Sequence, residues 1–214
     1  MRTAVLKSLA WAAATTAATA ILVTVPQAQA AESASEGKWL VRVRAVQLNS
    51  ANDDSTGLGL SINDKVIPEV DISYFFTPQI AAELVLTYPQ EHTVSASGTD
   101  IGTLKHLPPT LTVQYHFTDL GAFKPYVGAG LNYTRFSDVE FDPAVQAALD
   151  PSIEKDSWGL ALQVGFDYEV AKNVYLNVDV KKVQIRTDVS SFGAKAGEFK
   201  VDPWLFGVGV GWRF

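Results

Sequence analysis

The amino-acid sequence predicts an all-β fold: an eight-stranded antiparallel transmembrane β-barrel with short periplasmic turns and longer extracellular loops. Three observations predict it, namely an export signal at the amino terminus, eight segments in which apolar and polar residues alternate, and a final strand bounded by aromatic residues. Alternation with a period of two is typical of β-strands. A barrel that crosses a membrane presents the apolar positions of such strands to lipid.

Residues 1–30 have the features of a cleaved signal peptide. Two basic residues charge the start, residues 8–25 are uncharged and mostly apolar, and an Ala-Gln-Ala cleavage site ends at Ala30. The alternative is a membrane anchor that is retained, but the small-residue site directly after the apolar stretch favours cleavage. We therefore expect residues 31–214 to form a single transmembrane barrel domain.

The composition excludes several classes of protein. The 214 residues carry a formal net charge of −6, and removal of residues 1–30, which contain two basic and no acidic residues, makes the remainder more acidic. An acidic chain is a poor partner for nucleic acid. The sequence offers no cysteine for disulfides and no internal run of about 18 apolar residues for a spanning helix. A membrane location therefore requires a barrel.

The first four predicted strands cover residues 38–48, 66–76, 80–88 and 110–117. In the first strand, Val41 and Val43 share one face while Arg42 lies on the other. The second, third and fourth strands likewise oppose bulky apolar residues to acidic, hydroxyl or amide side chains. A tight turn at residues 77–79 joins the second strand to the third.

The last four predicted strands cover residues 125–135, 157–170, 174–185 and 204–214. In the last strand, Trp204 and Phe214 end a stripe of alternate apolar residues, with valines in its middle and mostly glycines between. Aromatic residues at both ends of such a stripe are typical of a lipid-facing strand with aromatic girdles at the two interfaces. Taken alone, this segment is also compatible with an ordinary buried terminal strand.

The lengths of the connections support an outer-membrane barrel. The links after the second, fourth and sixth strands are short, whereas those after the first, third, fifth and seventh are long. An even number of strands places both termini on the periplasmic side. A soluble lipocalin-like barrel is the alternative, but it would turn its apolar face inward and would not need aromatic strand ends on that face. We therefore expect the outer membrane of a Gram-negative cell.

One long connection contains a helix signal. Residues 142–149 begin with Asp142, a good helix cap, followed by Pro143, which suits the first turn. We expect a short helix there.

A family resemblance is carried, in order along the chain, by the segments HLPPTL (106–111), KPYVGAGLNYT (124–134), KDSWG (155–159), QVGFDY (163–168), DPW (202–204) and GWRF (211–214). These segments resemble the OmpW family of outer-membrane proteins. The resemblance implies an eight-stranded barrel without a cofactor, whose relatives, including alkane-uptake proteins, pass small hydrophobic molecules across the outer membrane. It also implies an apolar constriction at the positions of Val85 and Lys181, and Lys181 departs from that pattern.

The last eight residues resemble the signal that the barrel-assembly machinery recognises. Gly209, Trp212 and Phe214 stand at its glycine and aromatic positions, while Gly207 occupies the usual polar first position. The expected partners are therefore this machinery, outer-membrane lipid and a small hydrophobic ligand.

Charged residues crowd the inner face of the predicted barrel in its periplasmic half: Arg42, Arg44, Glu69, Asp71, Glu83, Asp167, Glu169 and Arg213. An eight-stranded barrel has room only for its own side chains or one small ligand. Isolated charges there are costly, so we expect these residues to pair across the lumen as a plug. An ion path through the same residues is the alternative.

Prolines lie within or at the extracellular ends of several predicted strands: Pro68, Pro89, Pro108, Pro109 and Pro203. None can donate a hydrogen bond to a strand neighbour, so they either end strands or flank a side opening in the wall. Such an opening would let an apolar molecule enter from the loops and leave into the bilayer. The candidate residues of this path are Val85, Lys181, Leu107, Pro108 and Pro109.

Catalysis is not expected. The histidines His92, His106 and His116 lie in separate segments without the spacing of metal ligands, and the serine and aspartate residues near His92 are ordinary loop residues. The predicted function is to bind and pass small hydrophobic molecules, with lateral release into the bilayer. A structural, adhesive or stress-response barrel without a specific cargo is the alternative. The sequence leaves the cargo, the direction of transport and the oligomeric state open.

Overall fold

The computed structural model describes residues 37–214 and shows a chain made almost entirely of β-strands. The strands are β1 (Trp39–Asn49), β2 (Asp53–Asp54), β3 (Leu60–Ile62), β4 (Lys65–Phe75), β5 (Ile80–Leu86), β6 (Gln90–Ala96), β7 (Thr99–Leu107), β8 (Thr110–His116), β9 (Phe123–Phe141), β10 (Pro151–Ile153), β11 (Asp156–Ala171), β12 (Val174–Val183), β13 (Arg186–Ser191), β14 (Ala194–Lys200) and β15 (Trp204–Arg213). One helix, α1 (Pro143–Leu149), lies between β9 and β10. The predicted signal peptide lies outside the described residues and stays a prediction.

Eight of these strands close into an antiparallel barrel, which confirms the predicted fold class. The order around the barrel is β1, β4, β5, β8, β9, β11, β12 and β15. Pairing of β15 with β1 completes the ring. Closure pairs the edges of the sheet over most of the ring, and in hydrocarbon an unpaired backbone group costs several kcal/mol. A closed ring thus satisfies most backbone groups of the barrel strands without a spanning helix.

The two faces of the barrel wall follow the alternation in the sequence. Along β1, Leu40, Arg42 and Arg44 are buried inside, while Val43 is 48% exposed on the outside. Outward aromatic residues form two girdles. The periplasmic girdle contains Trp39, Phe76, Tyr115, Phe117 and Trp212, and the extracellular girdle contains Tyr88, Trp158 and Trp204. An apolar outer face around a lumen that contains charged side chains is the arrangement of a membrane barrel, the reverse of a soluble one.

The extracellular end is more ordered than the sequence predicts. We expected long loops and an end of the fifth strand at residue 135, but β9 runs to Phe141 and pairs there with β7. A second, four-stranded sheet joins β10, β13, β14 and β2. Alternation of apolar and polar residues does not reveal β6 and β7, because their outer positions, such as Glu91 and Lys105, meet water rather than lipid.

The predicted short helix is confirmed as α1. Asp142 occupies the cap position without a side-chain cap hydrogen bond, and a left-handed residue, Asp150 (φ 39°), ends the helix. Among residues 37–214, no helix is long and apolar enough to cross a membrane.

Candidate functional site

The lumen contains two regions of opposite chemistry, stacked along the barrel axis. We call the periplasmic one the charged cluster; it comprises Arg42, Arg44, Glu69, Asp71, Glu83, Asp167, Asp179 and Lys181. The other lies toward the extracellular end, and we call it the apolar upper lumen; it comprises Val46, Leu48, Ile67, Leu104, Phe136, Val183, Ile185 and Leu205, with further residues above them.

Arg42 anchors one side of the charged cluster. Its guanidinium contacts Glu83 and Asp167, each at 2.6 Å, and all three side chains are almost completely buried. Arg42 also donates to the hydroxyl of Ser73 at 3.1 Å. Its guanidinium lies 5.1 Å from the ring centre of Tyr126. Both carboxylates thus meet a buried cation, as a low-dielectric lumen requires.

Arg44 and Lys181 form the other side of the charged cluster. Arg44 contacts Asp71 at 2.6 Å, Glu69 at 3.0 Å and Asp179 at 3.2 Å. Lys181 contacts Glu69 at 2.7 Å and Asp179 at 3.3 Å. Because the two cations share two carboxylates, these ion pairs form one connected network across the lumen.

Neutral polar side chains fill the space between the ions. The Gln163 amide donates to Glu83 at 2.9 Å and to Asp179 at 2.8 Å, and the Tyr126 hydroxyl donates to Asp179 at 2.8 Å. Tyr126 and Gln163 are themselves buried. The charged cluster and its neutral partners thus crowd the lower lumen with paired side chains.

The predicted plug residues do not all meet. Arg42, Arg44, Glu69, Asp71, Glu83 and Asp167 join the charged cluster. Glu169 is half-buried and lies 3.6 Å from Lys124, and Arg213 covers the Phe75 ring and donates to the carbonyl of Gly37 at 2.7 Å, both away from the cluster. Asp179 is not among the predicted plug residues, although alternation places it on the same face of β12 as Lys181. The function of these residues as a plug stays a prediction.

A small cavity lies directly above the charged cluster. Its volume is about 20 Å³, and its walls include Ile67, Val85 and Pro108, with Glu69 and Lys181 also in the lining. A second cavity, about 50 Å³ and almost wholly apolar, lies higher, where Val145 and Leu149 of α1 face Leu58, Phe141 and Phe199. Each has room for only one or a few water molecules.

The barrel wall is interrupted beside the lower cavity. Backbone pairing of β4 with β5 stops at Val70 and Leu86, although β4 continues along β1 as far as Lys65. Beyond that point, the Thr87 hydroxyl donates to the carbonyl of Pro68 at 2.8 Å, and the Lys65 ammonium donates to the carbonyl of Glu91 at 3.0 Å. Side chains thus replace the backbone ladder here. We call this interval the β4–β5 gap.

The predicted path residues lie around this gap. Val85, Lys181 and Pro108 line the lower cavity, whereas Leu107 and Pro109 are half-buried beside it. The Asn132 amide donates to the carbonyls of Pro108 and Pro109, each at 3.2 Å, and so fixes the break between β7 and β8. The cavity base is mixed rather than purely apolar because Lys181 is held there by ion pairs. A role of these residues in transport stays a prediction.

Two histidines stack at the start of the extracellular extension. The rings of His92 and His106 are 4.7 Å apart and nearly parallel, and both residues are fully buried. On the outside of the same strands, Lys105 pairs with Asp138 at 3.0 Å, which places this level above the lipid. Burial, reinforced by His92 and Lys65, lowers the pKa of His106 to about 3. The stack is therefore uncharged at neutral pH.

The described residues contain no group of three or more histidine, cysteine or acidic side chains arranged to hold a metal ion. His116 lies apart from the other two histidines, at the periplasmic end of β8, where its ring packs against Phe75.

Comparison with known proteins agrees with this architecture. The family model described as the OmpW family matches residues 35–214. The chain is 45% identical to the uncharacterized outer-membrane protein y4mB of Sinorhizobium fredii, over 92% of this chain and 90% of that protein. It is 37% identical to outer membrane protein W of Vibrio cholerae, over 84% and 89% of the two chains.

A more distant relative and a solved structure extend the comparison. The dibenzothiophene metabolism operon protein PahQ of Pseudomonas aeruginosa is 28% identical, over 67% of this chain and 69% of that protein. The crystal structure of the outer membrane protein OprG from Pseudomonas aeruginosa superposes with a TM-score of 0.73 at 27% identity, covering 83% of this chain and 96% of that chain. The matched structure is an outer-membrane barrel, as the sequence predicts.

Proposed function

The chain belongs to the OmpW family of outer-membrane barrels, a non-enzymatic class, and on that premise we propose that it takes up small hydrophobic molecules and releases them sideways into the bilayer. One observation carries the proposal: the apolar upper lumen ends on the charged cluster at the level where the wall is interrupted by the β4–β5 gap. An apolar molecule that descends through the upper lumen meets ions below it and an unpaired wall beside it.

The extracellular end offers an apolar surface for capture. Val145 and Leu149 of α1 cover the upper cavity, and Phe199 of the second sheet faces them. Burial of apolar surface contributes roughly 25 cal/mol per Å². A hydrophobic molecule therefore gains free energy when α1 moves aside and the molecule leaves water for this apolar surface. Because both cavities are small, passage of anything larger than water requires such movements.

The charged cluster opposes passage straight through the barrel. A molecule that moves past Arg44 and Lys181 must separate them from Glu69 and Asp179, and removing one partner of a buried ion pair costs about 3–5 kcal/mol. An apolar molecule offers these ions no replacement partner. The periplasmic route is therefore costly for the cargo that the upper lumen favours.

The β4–β5 gap offers a less costly exit. In the described part of the chain, two side-chain hydrogen bonds span the gap, from Thr87 to Pro68 and from Lys65 to Glu91, and each contributes about 0.5–1.5 kcal/mol, or up to about 3 kcal/mol for the charged donor. Outside the gap, Val66 and Tyr88 are 61% and 53% exposed, at the extracellular girdle. A molecule leaving here enters lipid directly. The difference between the two costs favours lateral release.

The family context supports hydrophobic cargo. PahQ is by its name a protein of a dibenzothiophene metabolism operon, and dibenzothiophene is an apolar aromatic compound. The resemblance to the OmpW family likewise implies small hydrophobic molecules.

A reversible disulfide across the β4–β5 gap tests the lateral route. The chain has no cysteine, so a P68C/Y88C double variant introduces the only thiols, one on each side of the gap. Oxidation is expected to lower uptake of radiolabelled octane by intact cells roughly tenfold, because a disulfide fixes the spacing of the two segments. Reduction is expected to restore it. Thiol titration establishes that the disulfide has formed.

The matched control is an I72C/L84C variant, since Ile72 and Leu84 are directly paired where the wall is already continuous. Oxidation of this pair is expected to leave octane uptake unchanged. Normal uptake through an oxidised P68C/Y88C barrel would exclude the β4–β5 gap as the exit. Equal octane uptake by cells with and without the protein would instead favour the alternative, a structural or adhesive barrel without cargo.

A further inference from the structure

Two buried polar groups beside the lower cavity have unused hydrogen-bonding capacity. Both ring nitrogens of His106 and the amide oxygen of Gln90 lack a hydrogen-bond partner, and both side chains are fully buried. Leaving such a group unpaired is costly, because it loses its hydrogen bonds to water without replacing them. Buried polar groups in native proteins are nearly always paired, so these atoms point to a bound polar group.

The two residues are direct neighbours across the β6–β7 strand pair. Gln90 of β6 and His106 of β7 are directly paired across the hairpin, so their side chains lie on the same face as neighbours. His106 lines the lower cavity. The other face of its ring is covered by His92, whose Nδ1 lies 2.9 Å from the carbonyl of Asn63. The free nitrogens of His106 are therefore available from the cavity side.

The remaining polar side chains around the lower cavity already have partners. Thr110 donates to the carbonyl of Pro108 at 3.2 Å, and Asn132 donates to Thr110 at 2.8 Å. Thr87, Glu69 and Lys181 are engaged as described above. Within the described lining, His106 is thus the group left to recognise a ligand.

We propose that His106 and Gln90 bind the hydroxyl group of an amphipathic alcohol, whose apolar tail enters the upper lumen when the side chains there move apart, because the lower cavity itself holds only about one water molecule. This inference rests on the proposed function and specifies its cargo. A neutral imidazole has one N–H donor, and the Gln90 amide oxygen is an acceptor only. A hydroxyl oxygen accepts from His106 while its hydrogen is donated to Gln90, so a hydroxyl satisfies both groups at once. A ketone oxygen cannot donate to Gln90.

The charge below the cavity excludes a carboxylate head. The charged cluster holds three cations, Arg42, Arg44 and Lys181, against five carboxylates, so its formal charge is −2. An anion placed above it meets net repulsion, and Gln90 offers that anion only an acceptor. The site therefore favours an uncharged alcohol over the corresponding carboxylate. Water is the competing occupant, because one molecule fits a 20 Å³ cavity.

The first measurement is spectroscopic and uses the barrel in lipid nanodiscs, with its histidines labelled with ¹⁵N. Addition of octan-1-ol is expected to shift the His106 nitrogen resonances, which are assigned by their loss in His106→Phe. Addition of octane is expected to leave them in place. If octan-1-ol moves neither nitrogen, water occupies the site and the proposal is overturned.

The second measurement compares uptake of octan-1-ol and octane by intact cells. His106→Phe keeps the ring stack and Gln90→Leu replaces the amide by an apolar side chain of similar bulk, and each is expected to lower the octanol-to-octane uptake ratio roughly 3- to 10-fold. The matched control is His92→Phe, which keeps the stack but does not line the cavity, and its ratio is expected to match wild type. Heat-modifiable migration in gels establishes that each barrel has formed.

These results separate the two hypotheses. If octane uptake requires the protein but both variants keep the wild-type ratio, the alcohol site is wrong and the proposed uptake function stands. If octan-1-ol shifts the His106 resonances while neither compound enters faster than in cells lacking the protein, the binding site stands and the transport function fails. Should His106→Phe not assemble, Gln90→Leu supplies the uptake ratio, and the His106 resonance is assigned by exclusion, through the loss of the His92 and His116 signals in single variants.

Discussion

The two halves of the lumen are built on the same strands but are stabilised differently. On β1, Arg42 and Arg44 point into the charged cluster, and only two residues further along, Val46 begins the apolar upper lumen. In the lower half, ion pairs connect β1 to β4, β5, β11 and β12. In the upper half, apolar contacts line the lumen, and at the β4–β5 gap two side-chain hydrogen bonds replace the ladder. The ion-pair network and the interrupted β4–β5 pairing thus lie at different levels of one barrel.

The largest expected effect is the loss of the assembled barrel, and with it of both halves of the lumen. Phe214→Ala is expected to abolish most of the assembled barrel in the outer membrane, because the terminal aromatic residue belongs to the signal that we expect the assembly machinery to recognise. The Phe214 backbone, which exchanges hydrogen bonds of 2.8 and 2.9 Å with Trp39 at the seam, is unchanged in this variant. Heat-modifiable protein in outer-membrane fractions is the measurement. Phe214→Tyr, which keeps an aromatic ring, is expected to assemble, and equal yields of the two variants would contradict the signal.

Arg44→Leu is expected to destabilise the lower half by about 3–5 kcal/mol, because Asp71, Glu69 and Asp179 lose a shared buried cation. Urea unfolding followed by tryptophan fluorescence in lipid bilayers gives the value. Leu48→Met, a volume-conserving change in the apolar upper lumen on the same strand, is expected to cost less than about 1.5 kcal/mol.

Octane uptake and ion conductance distinguish the roles of the two halves of the lumen. In the inserted Arg44→Leu barrel, uptake is expected to stay near the wild-type value, since the proposed route leaves the lumen above the charged cluster. Conductance for small ions is expected to rise. Loss of octane uptake together with a rise in conductance would indicate a straight path through both halves.

Acid is expected to weaken the extracellular extension selectively. Burial lowers the pKa of His106 to about 3 in the folded barrel, whereas its ordinary value of 6.5 applies to the unfolded chain. Between these values the unfolded chain binds a proton that the folded chain does not, so stability falls as the pH falls. The slope contributed by His106 approaches about 1.4 kcal/mol per pH unit. Unfolding measured from pH 7 to pH 4 is expected to show this slope in wild type and a flatter one in His106→Phe. Identical slopes would show that the His106 imidazole does not control the acid response.

The smallest energetic change is expected at the boundary of the two halves. Val85→Gln adds a polar amide to the lower cavity, and is expected to lower octane uptake roughly tenfold, equivalent to about 1.4 kcal/mol. The stability is expected to change less than in Arg44→Leu, because no buried ion loses its partner. Val85→Ile is the size control. A similar loss of uptake in both variants would indicate steric blocking rather than polarity.

Local residue patterns were sufficient to predict most of the fold. Alternation identified the eight barrel strands, and Asp142 with Pro143 identified the helix. The ordered extension above the membrane was missed, because Glu91 and Lys105 lie on outer faces that contact water and so carry no apolar stripe. The sequence pattern also does not predict the stacking of His92 on His106, because it does not identify the pairing of β6 with β7 that brings the two rings together.

The sequence by itself determined which side chains enter the lumen, because in a strand each residue points to the face opposite its neighbour's, and this depends on local geometry alone. Only the tertiary structure decided which of them meet. Lys181 contacts Glu69 across 112 positions of sequence, while Glu169 and Arg213 remain outside the charged cluster. The β4–β5 gap likewise arises where β4 continues along β1 after β5 has ended. Strand register and closure fix these pairings, and both are properties of the whole ring rather than of any one segment.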